Sequence, residues 1–380
     1  MRQSILFLVG LLLYLQTPIF LQAQDAFADS ALAKIMQQYP VMGLSVAVVK
    51  NNQVVYAQSV GWKDSLVQTR LSNTDIFRIA SISKSFSATA IMQLIEKGLL
   101  TLDSDISDLI GFTVRNPNFP DRPITLKMVL SHRSSINDSQ GYFSLDVINP
   151  SKNPNWAKSY NNYAPDSGYM YCNLNYNMTG AIIEKRSGER FDHYIQKHIL
   201  DPLGLYGGYN VDDLDQTKFA SIYEYNRDSL KFFHSPNAYA SRRADIANYT
   251  IGYSAPIFSP TGGMKISATD LAKYMIMHSQ LGKYNGQRII RRKSAKLMQT
   301  MVSVKEQYGL ALSKTTQLID GELLIGHTGS AYGLYSAMFF EPKKQFGFVV
   351  ISNGCDIGYA KGFNVVIRQT INQLYDAFIK

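Results

Sequence analysis

The chain has 380 residues, 46% of them hydrophobic and 18% charged, which is enough for one large domain or two closely joined ones and excludes a disordered chain. The net charge of +9 is scattered; its densest run, Arg291, Arg292 and Lys293, reads as a solvated surface and not as a nucleic-acid footprint. Two cysteines, Cys172 and Cys355, exclude a disulfide framework, and the histidines show no metal-ligand spacing, so no metal and no other cofactor is expected.

At the N-terminus, Arg2 precedes an apolar run over 5–15, and Leu21-Gln22-Ala23 places a small residue where a signal peptidase would cut. This layout predicts a signal peptide over 1–23, a mature chain starting at Gln24, and a periplasmic or secreted protein. The apolar run is short for a membrane span, so no stable membrane insertion is expected after cleavage. Residues 42–61 hold two β-branched runs around Lys50-Asn51-Asn52-Gln53, which predicts a hairpin. The strand-like "IFRIA" at 76–80 then gives way to a helix over 84–98.

Further helices are expected over 124–131, 175–187, 190–199, 268–280 and 293–301, separated by long polar, aromatic loops over 137–170 and 206–252. Long irregular segments in a compact domain commonly wall a functional cleft. Strands follow at 322–326, 334–340 and 346–352, with Pro342-Lys343-Lys344-Gln345 as a turn. A last helix over 359–378 repeats Phe363, Val366, Ile367, Ile371, Leu374 and Phe378 at helical spacing. The order predicts an α+β fold: an antiparallel sheet built from both chain ends and flanked by helices, with an inserted, mostly helical lobe. The α/β lobe covers about 24–95 and 255–380 and the helical lobe about 96–254, and a ligand cleft is expected between them.

Three stretches could carry chemistry. Ser81 and Lys84, in "RIASISKSF", form the one Ser-x-x-Lys of the chain and share a face at a helix start. Ser81 is either an N-cap or a nucleophile whose base is a desolvated Lys84. Tyr171 and Asn173 lie just before a helix; Tyr171 could share proton transfer and Asn173 hold a substrate amide, or both could simply pack and cap. "IGHTGSAYG", at 325–333, places His327, Thr328, Gly329 and Ser330 at a strand end, where a substrate could lie close, or where the strand merely turns. Ser330 N–H and Ser81 N–H could together cradle an oxyanion.

In order and separation these stretches resemble the serine β-lactamase and penicillin-binding-protein superfamily, most closely its class C β-lactamase group, which also holds DD-peptidases, D-aminopeptidases and esterases. "LKMVLSHRSSI" at 126–136, "DPLGL" at 201–205 and "SPTGGMKISATDLAKYM" at 259–275 extend the resemblance over nearly the whole mature chain. The resemblance implies that Ser81 becomes acylated, that Lys84 and Tyr171 relay its proton, and that Asn173 orients the acyl group. It also implies that Thr328, Gly329 and Ser330 line the substrate, with the Ser330 N–H in the oxyanion hole.

Two departures stand out. His327 occupies the place of the usual carboxylate-facing lysine, which points to esterase or D-aminopeptidase relatives, and Arg133-Ser134-Ser135 replaces Thr-Ser-Gly. The resulting expectation is an exported serine hydrolase of a small ester, amide or D-amino-acid peptide, with a small-molecule or peptidoglycan-type peptide as its substrate partner. Alternatives are a β-lactamase, a D-Ala-D-Ala carboxypeptidase, or a non-catalytic penicillin-binding-like receptor.

Overall fold

In the computed structural model, residues 24–380 are described; the expected signal peptide at 1–23 lies outside them. A helix over 24–38 (α1) leads into β1 (Val41–Lys50) and β2 (Gln53–Asp64). The turn between these strands puts Asn51 and Asn52 at φ 53° and 56°, the left-handed pair that a two-residue hairpin needs and that asparagine tolerates. β3 (Thr69–Arg70) completes this edge. From the far end of the chain come β4 (Ser313–Thr315), β5 (Leu324–Ala331), β6 (Leu334–Glu341) and β7 (Phe346–Cys355).

The two ends close into one antiparallel seven-stranded sheet, ordered β4-β5-β6-β7-β1-β2-β3. The seam is β1 against β7, with Ser45 opposite Ile351 and Ala47 opposite Val349. Both faces of the seam are covered, so β1 is buried almost throughout. Alternation sends Leu44, Val46 and Val48 toward α1 and the C-terminal helix α5 (Val365–Phe378), while Ala47 and Val49 join the main core. That main core includes α2 (Ser83–Glu96), α3 (Asn173–Ser187) and α4 (Ala268–Ser279).

α2 is buried from Ser83 to Met92, which suits a helix whose only charges are Lys84 and Glu96. It packs on α3, whose Gly180 sits so close to Pro260 that a Cβ would fall 2.3 Å from its Cγ. Short helical turns and a hairpin, Tyr223–Asn226 with Lys231–His234, fill much of the stretch between α3 and α4.

Two boundaries depart from the sequence expectation. The strand expected at 322–326 is β5, which runs on through His327, Thr328, Gly329 and Ser330 to Ala331. Strand partners decide this: β6 pairs continuously from Ile325–Phe340 to Ala331–Leu334, and the turn comes only at Tyr332-Gly333. The helix expected over 359–378 begins at Val365, because Tyr359–Ala360 and Phe363–Asn364 pair as a small ribbon and Asn364 then caps the helix. Among the described residues no helix is long and apolar enough to cross a membrane, and both cysteines are buried free thiols.

Candidate active site

Ser81 lies in a single 3-10 turn, Ala80–Ile82, at the entrance to α2. Ala80 takes φ 46°, an uncommon conformation for a residue with a Cβ, and this tight turn presents Ser81. The Ser81 side chain does not cap the helix; its Oγ instead meets Lys84 Nζ at 3.1 Å. The N–H of Ser81 belongs to the first turn, where no intrahelical acceptor exists.

Lys84 is fully buried and has two other partners, Asn173 Oδ1 at 2.9 Å and the Thr261 carbonyl at 3.1 Å. Burial pushes its ammonium down to about 7, against the pull of the Asp138 carboxylate, which favours the charged form. Lys84 Nζ also lies 4.7 Å from the Tyr171 ring centroid.

Tyr171 faces the same group. Burial raises its phenol well above the ordinary value, and the nearby Ser81 hydroxyl partly offsets this. The loop carrying Tyr171 is held by His132: the Cys172 N–H donates to His132 Nδ1 at 3.1 Å and the Met170 N–H to the His132 carbonyl at 2.9 Å. His132 also packs on the Tyr171 ring, with centroids 4.3 Å apart.

Asn173 is clamped at both ends of its amide. Its Oδ1 accepts from Lys84 and from Thr261 Oγ1 at 2.8 Å, while its Nδ2 donates to Asp138 Oδ2 at 3.0 Å. The Asn173 and Leu174 amides at the start of α3 also donate to Asp138, at 2.8 and 3.0 Å. Asn173 lines the cleft, yet its amide is committed to holding Lys84.

The fourth part of the site is β5. A Cβ on Gly329 would fall 2.2 Å from the Ile79 carbonyl and 2.4 Å from Ser336 Oγ, so glycine is what lets the strand press against the turn that carries Ser81. The two-residue turn at Tyr332-Gly333 makes Ala331–Leu334 the closing hydrogen-bonded pair, which leaves Ser330 at a position whose N–H points away from β6. β4 reaches only Leu324–Gly326, so nothing in the sheet covers that amide.

Two expected substrate-lining residues are placed differently. His327 is not presented to the cleft: it is buried, Nδ1 lies 2.5 Å from the Thr328 carbonyl, and Nε2 lies 3.2 Å from the Tyr308 hydroxyl. Burial and the nearby Lys84 hold its imidazole down to about 4, so it stays neutral at pH 6. Thr328 lines a separate small cavity with Asn364 and Ile367, on the α5 side of the sheet. Period two along the strand separates it from His327 and Gly329.

Ser81, Tyr171, Asn173 and Ser330 line one open cleft of about 430 Å³, together with Arg78, Tyr142, Phe143, Thr261 and Tyr332. Sequence reasoning missed Asp138, Thr261 and Arg78. Asp138 and Thr261 are polar loop residues with no local signal, and Arg78 sits inside a stretch that otherwise reads as a plain strand.

The model of one protein family, Beta-lactamase, matches residues 28–359. This chain belongs to the beta-lactamase family. It is 24% identical over 345 residues to Protein flp of Staphylococcus aureus strain MW2, an alignment covering 86% of this chain and 62% of flp. The chain thus spans about three fifths of the length of such curated relatives. Among solved structures it is similar to an octameric penicillin-binding protein homologue from Pyrococcus abyssi, with TM-score 0.69, 26% identity, and 92% and 76% of the two chains covered. It also superposes on EstCE1, a hydrolase with promiscuous acyltransferase activity, with TM-score 0.72, 19% identity, and 95% and 100% coverage, a likeness of fold.

Proposed function

We propose that the protein cleaves a small ester or amide, D-amino-acid amides and peptides included, through an acyl-enzyme on Ser81. The observation that carries this reading is the set of partners around Lys84. A neutral lysine amine has two N–H bonds and one lone pair. The Asn173 and Thr261 carbonyl oxygens take the two N–H bonds, so the lone pair is left for the Ser81 hydroxyl, 3.1 Å away.

In this mechanism Lys84 takes the Ser81 proton as Oγ attacks the carbonyl carbon. The Ser81 and Ser330 amides receive the developing oxyanion. Tyr171, kept protonated by burial, passes a proton to the departing alcohol or amine and is replenished from Lys84. Water then attacks the acyl ester, with Lys84 again accepting a proton, and the acid leaves with Ser81 restored. Asp138 acts through Asn173 as a positioning residue. The reading extends to location: export with removal of 1–23 places the enzyme outside the cytoplasm.

Kinetics of wild type and Ser81→Ala on short-chain 4-nitrophenyl esters, D-amino-acid amides and a chromogenic β-lactam test the proposal. Wild type should turn over an ester or amide, and Ser81→Ala should lose about three orders of magnitude or more. Retention of that turnover by Ser81→Ala would refute it, and preference for the β-lactam would move the reading to a lactamase.

A further inference from the structure

Arg78 stands three residues before Ser81 in the wall of the same cleft, and only 5% of its surface is exposed. Its backbone is fixed by pairing with Lys265 and by the Tyr239 hydroxyl. The side chain donates from Nε to the Gly262 carbonyl at 2.9 Å; two longer contacts reach the Ala238 carbonyl at 3.4 Å and Ser259 Oγ at 3.5 Å. A guanidinium has five N–H bonds, so two have no protein acceptor. Among the described residues no carboxylate lies within ion-pair distance of it. The ionisable groups that act on it most are Tyr332, Arg242, Tyr239 and Tyr142, three phenols and another cation.

A buried charge without a counter-ion is costly, commonly several kcal/mol, and buried charges are therefore usually paired. The neighbouring strand answers that cost differently. Lys265, opposite Arg78, is driven toward the neutral amine by its own burial and then by Arg78, and it donates to the Tyr209 carbonyl at 2.5 Å. Arginine cannot shed its proton this way. The cleft therefore keeps one fixed positive charge, with spare donors, at most about 10 Å of chain from the nucleophile.

We propose that Arg78 reads a carboxylate on the substrate, so that the preferred substrates are esters or amides bearing a free acid. The inference rests on the hydrolase reading above and names its substrate class. A carboxylate fits because the guanidinium fork can hold both of its oxygens. The walls around it, Tyr142, Phe143 and Tyr332, suit an apolar or aromatic body next to that acid. His327, neutral and turned inward, does not supply this charge.

The test uses two matched pairs. 4-Nitrophenyl hydrogen glutarate against its methyl ester carries the acid on the acyl side; 4-acetoxybenzoate against its methyl ester carries it on the leaving group. In wild type, kcat/KM should favour the acid in one pair, and Arg78→Gln should lower that acid-to-neutral ratio by about tenfold or more, equivalent to about 1.4 kcal/mol. Arg78→Lys should recover part of it. A clamp that merely held the loops would lower both members equally and leave the ratio unmoved. A second measurement needs no variant: glutarate should inhibit wild-type hydrolysis of a neutral ester competitively, and glutaramide should not. A ratio near one in both pairs, or equal inhibition by acid and amide, would overturn the inference. Failure of the hydrolase reading shows separately, as turnover that survives Ser81→Ala.

Discussion

Replacing Asp138 by asparagine should move the acid limb of the rate profile down by about one pH unit. Lys84 is held at about 7 because burial outweighs the attraction of Asp138. His327 is held at about 4, His132 lies well below its ordinary value, and the Tyr171 phenol lies well above its own, so none of them competes near neutrality. The two charges are linked through one amide, with Lys84 Nζ 2.9 Å from Asn173 Oδ1 and Asn173 Nδ2 3.0 Å from Asp138 Oδ2. That places them at most about 8 Å apart, where two unit charges interact by at least about 2 kcal/mol at an effective dielectric of about 20. At about 1.4 kcal/mol per pH unit this is about 1.5 units, and partial screening at the partly buried Asp138 brings it toward one. The sign follows from the charge: without the carboxylate the ammonium is less favoured, and the neutral, basic amine persists to lower pH. The assay is kcat/KM on a neutral ester from about pH 5 to about pH 9, with thermal melts at each pH to verify folding. An unmoved limb, or one displaced upward, would refute the assignment of Lys84 as the base.

Gly329→Ala should cost about 1–3 kcal/mol of stability and depress kcat, because the new Cβ meets the Ile79 carbonyl, which already accepts from Ser336 Oγ at 3.0 Å; unchanged melting and turnover would show that the close approach is unnecessary. His278 is buried with neither ring nitrogen partnered, and burial holds it down to about 3. Its folded value lies below the unfolded one near 6.5, so protonation favours unfolding, and about 2 kcal/mol should be lost between pH 6.5 and 4.5. His278→Leu should remove that share of the acid loss, measured as urea midpoints at the two pH values; equal acid loss in both proteins would contradict the burial argument. Material recovered from outside the cytoplasm should begin at Gln24 by intact mass, and a species retaining 1–23 would refute cleavage there.

Local chemistry made parts of this molecule legible. Asn51 and Asn52 announce the first hairpin because few residues accept φ > 0. The faces of α5 follow from spacing alone: Val366, Ile367, Ile371, Leu374 and Phe378 are all buried. Ser81 and Lys84 pair because three residues make nearly one helical turn, and α3 brings in Asn173 with Tyr171 just before it. Asp138, Thr261 and Arg78 were illegible because their partners lie far along the chain; Arg78 reaches Gly262, 184 residues away. The same holds for His327, whose orientation depends on Tyr308 and on which face of β5 meets α2's turn, neither of which its own neighbours encode. The end of β5 was misjudged because strand limits are set by pairing with β6.

The most direct measurement is mass spectrometry of protein quenched in acid during turnover of a slowly released 4-nitrophenyl ester. Wild type should carry one added acyl group, and peptide mapping should place it on Ser81; Lys84→Ala should acquire it far more slowly, and Ser81→Ala should not acquire it at all. An adduct on any other residue, or one that persists in Ser81→Ala, would contradict Ser81 as the nucleophile.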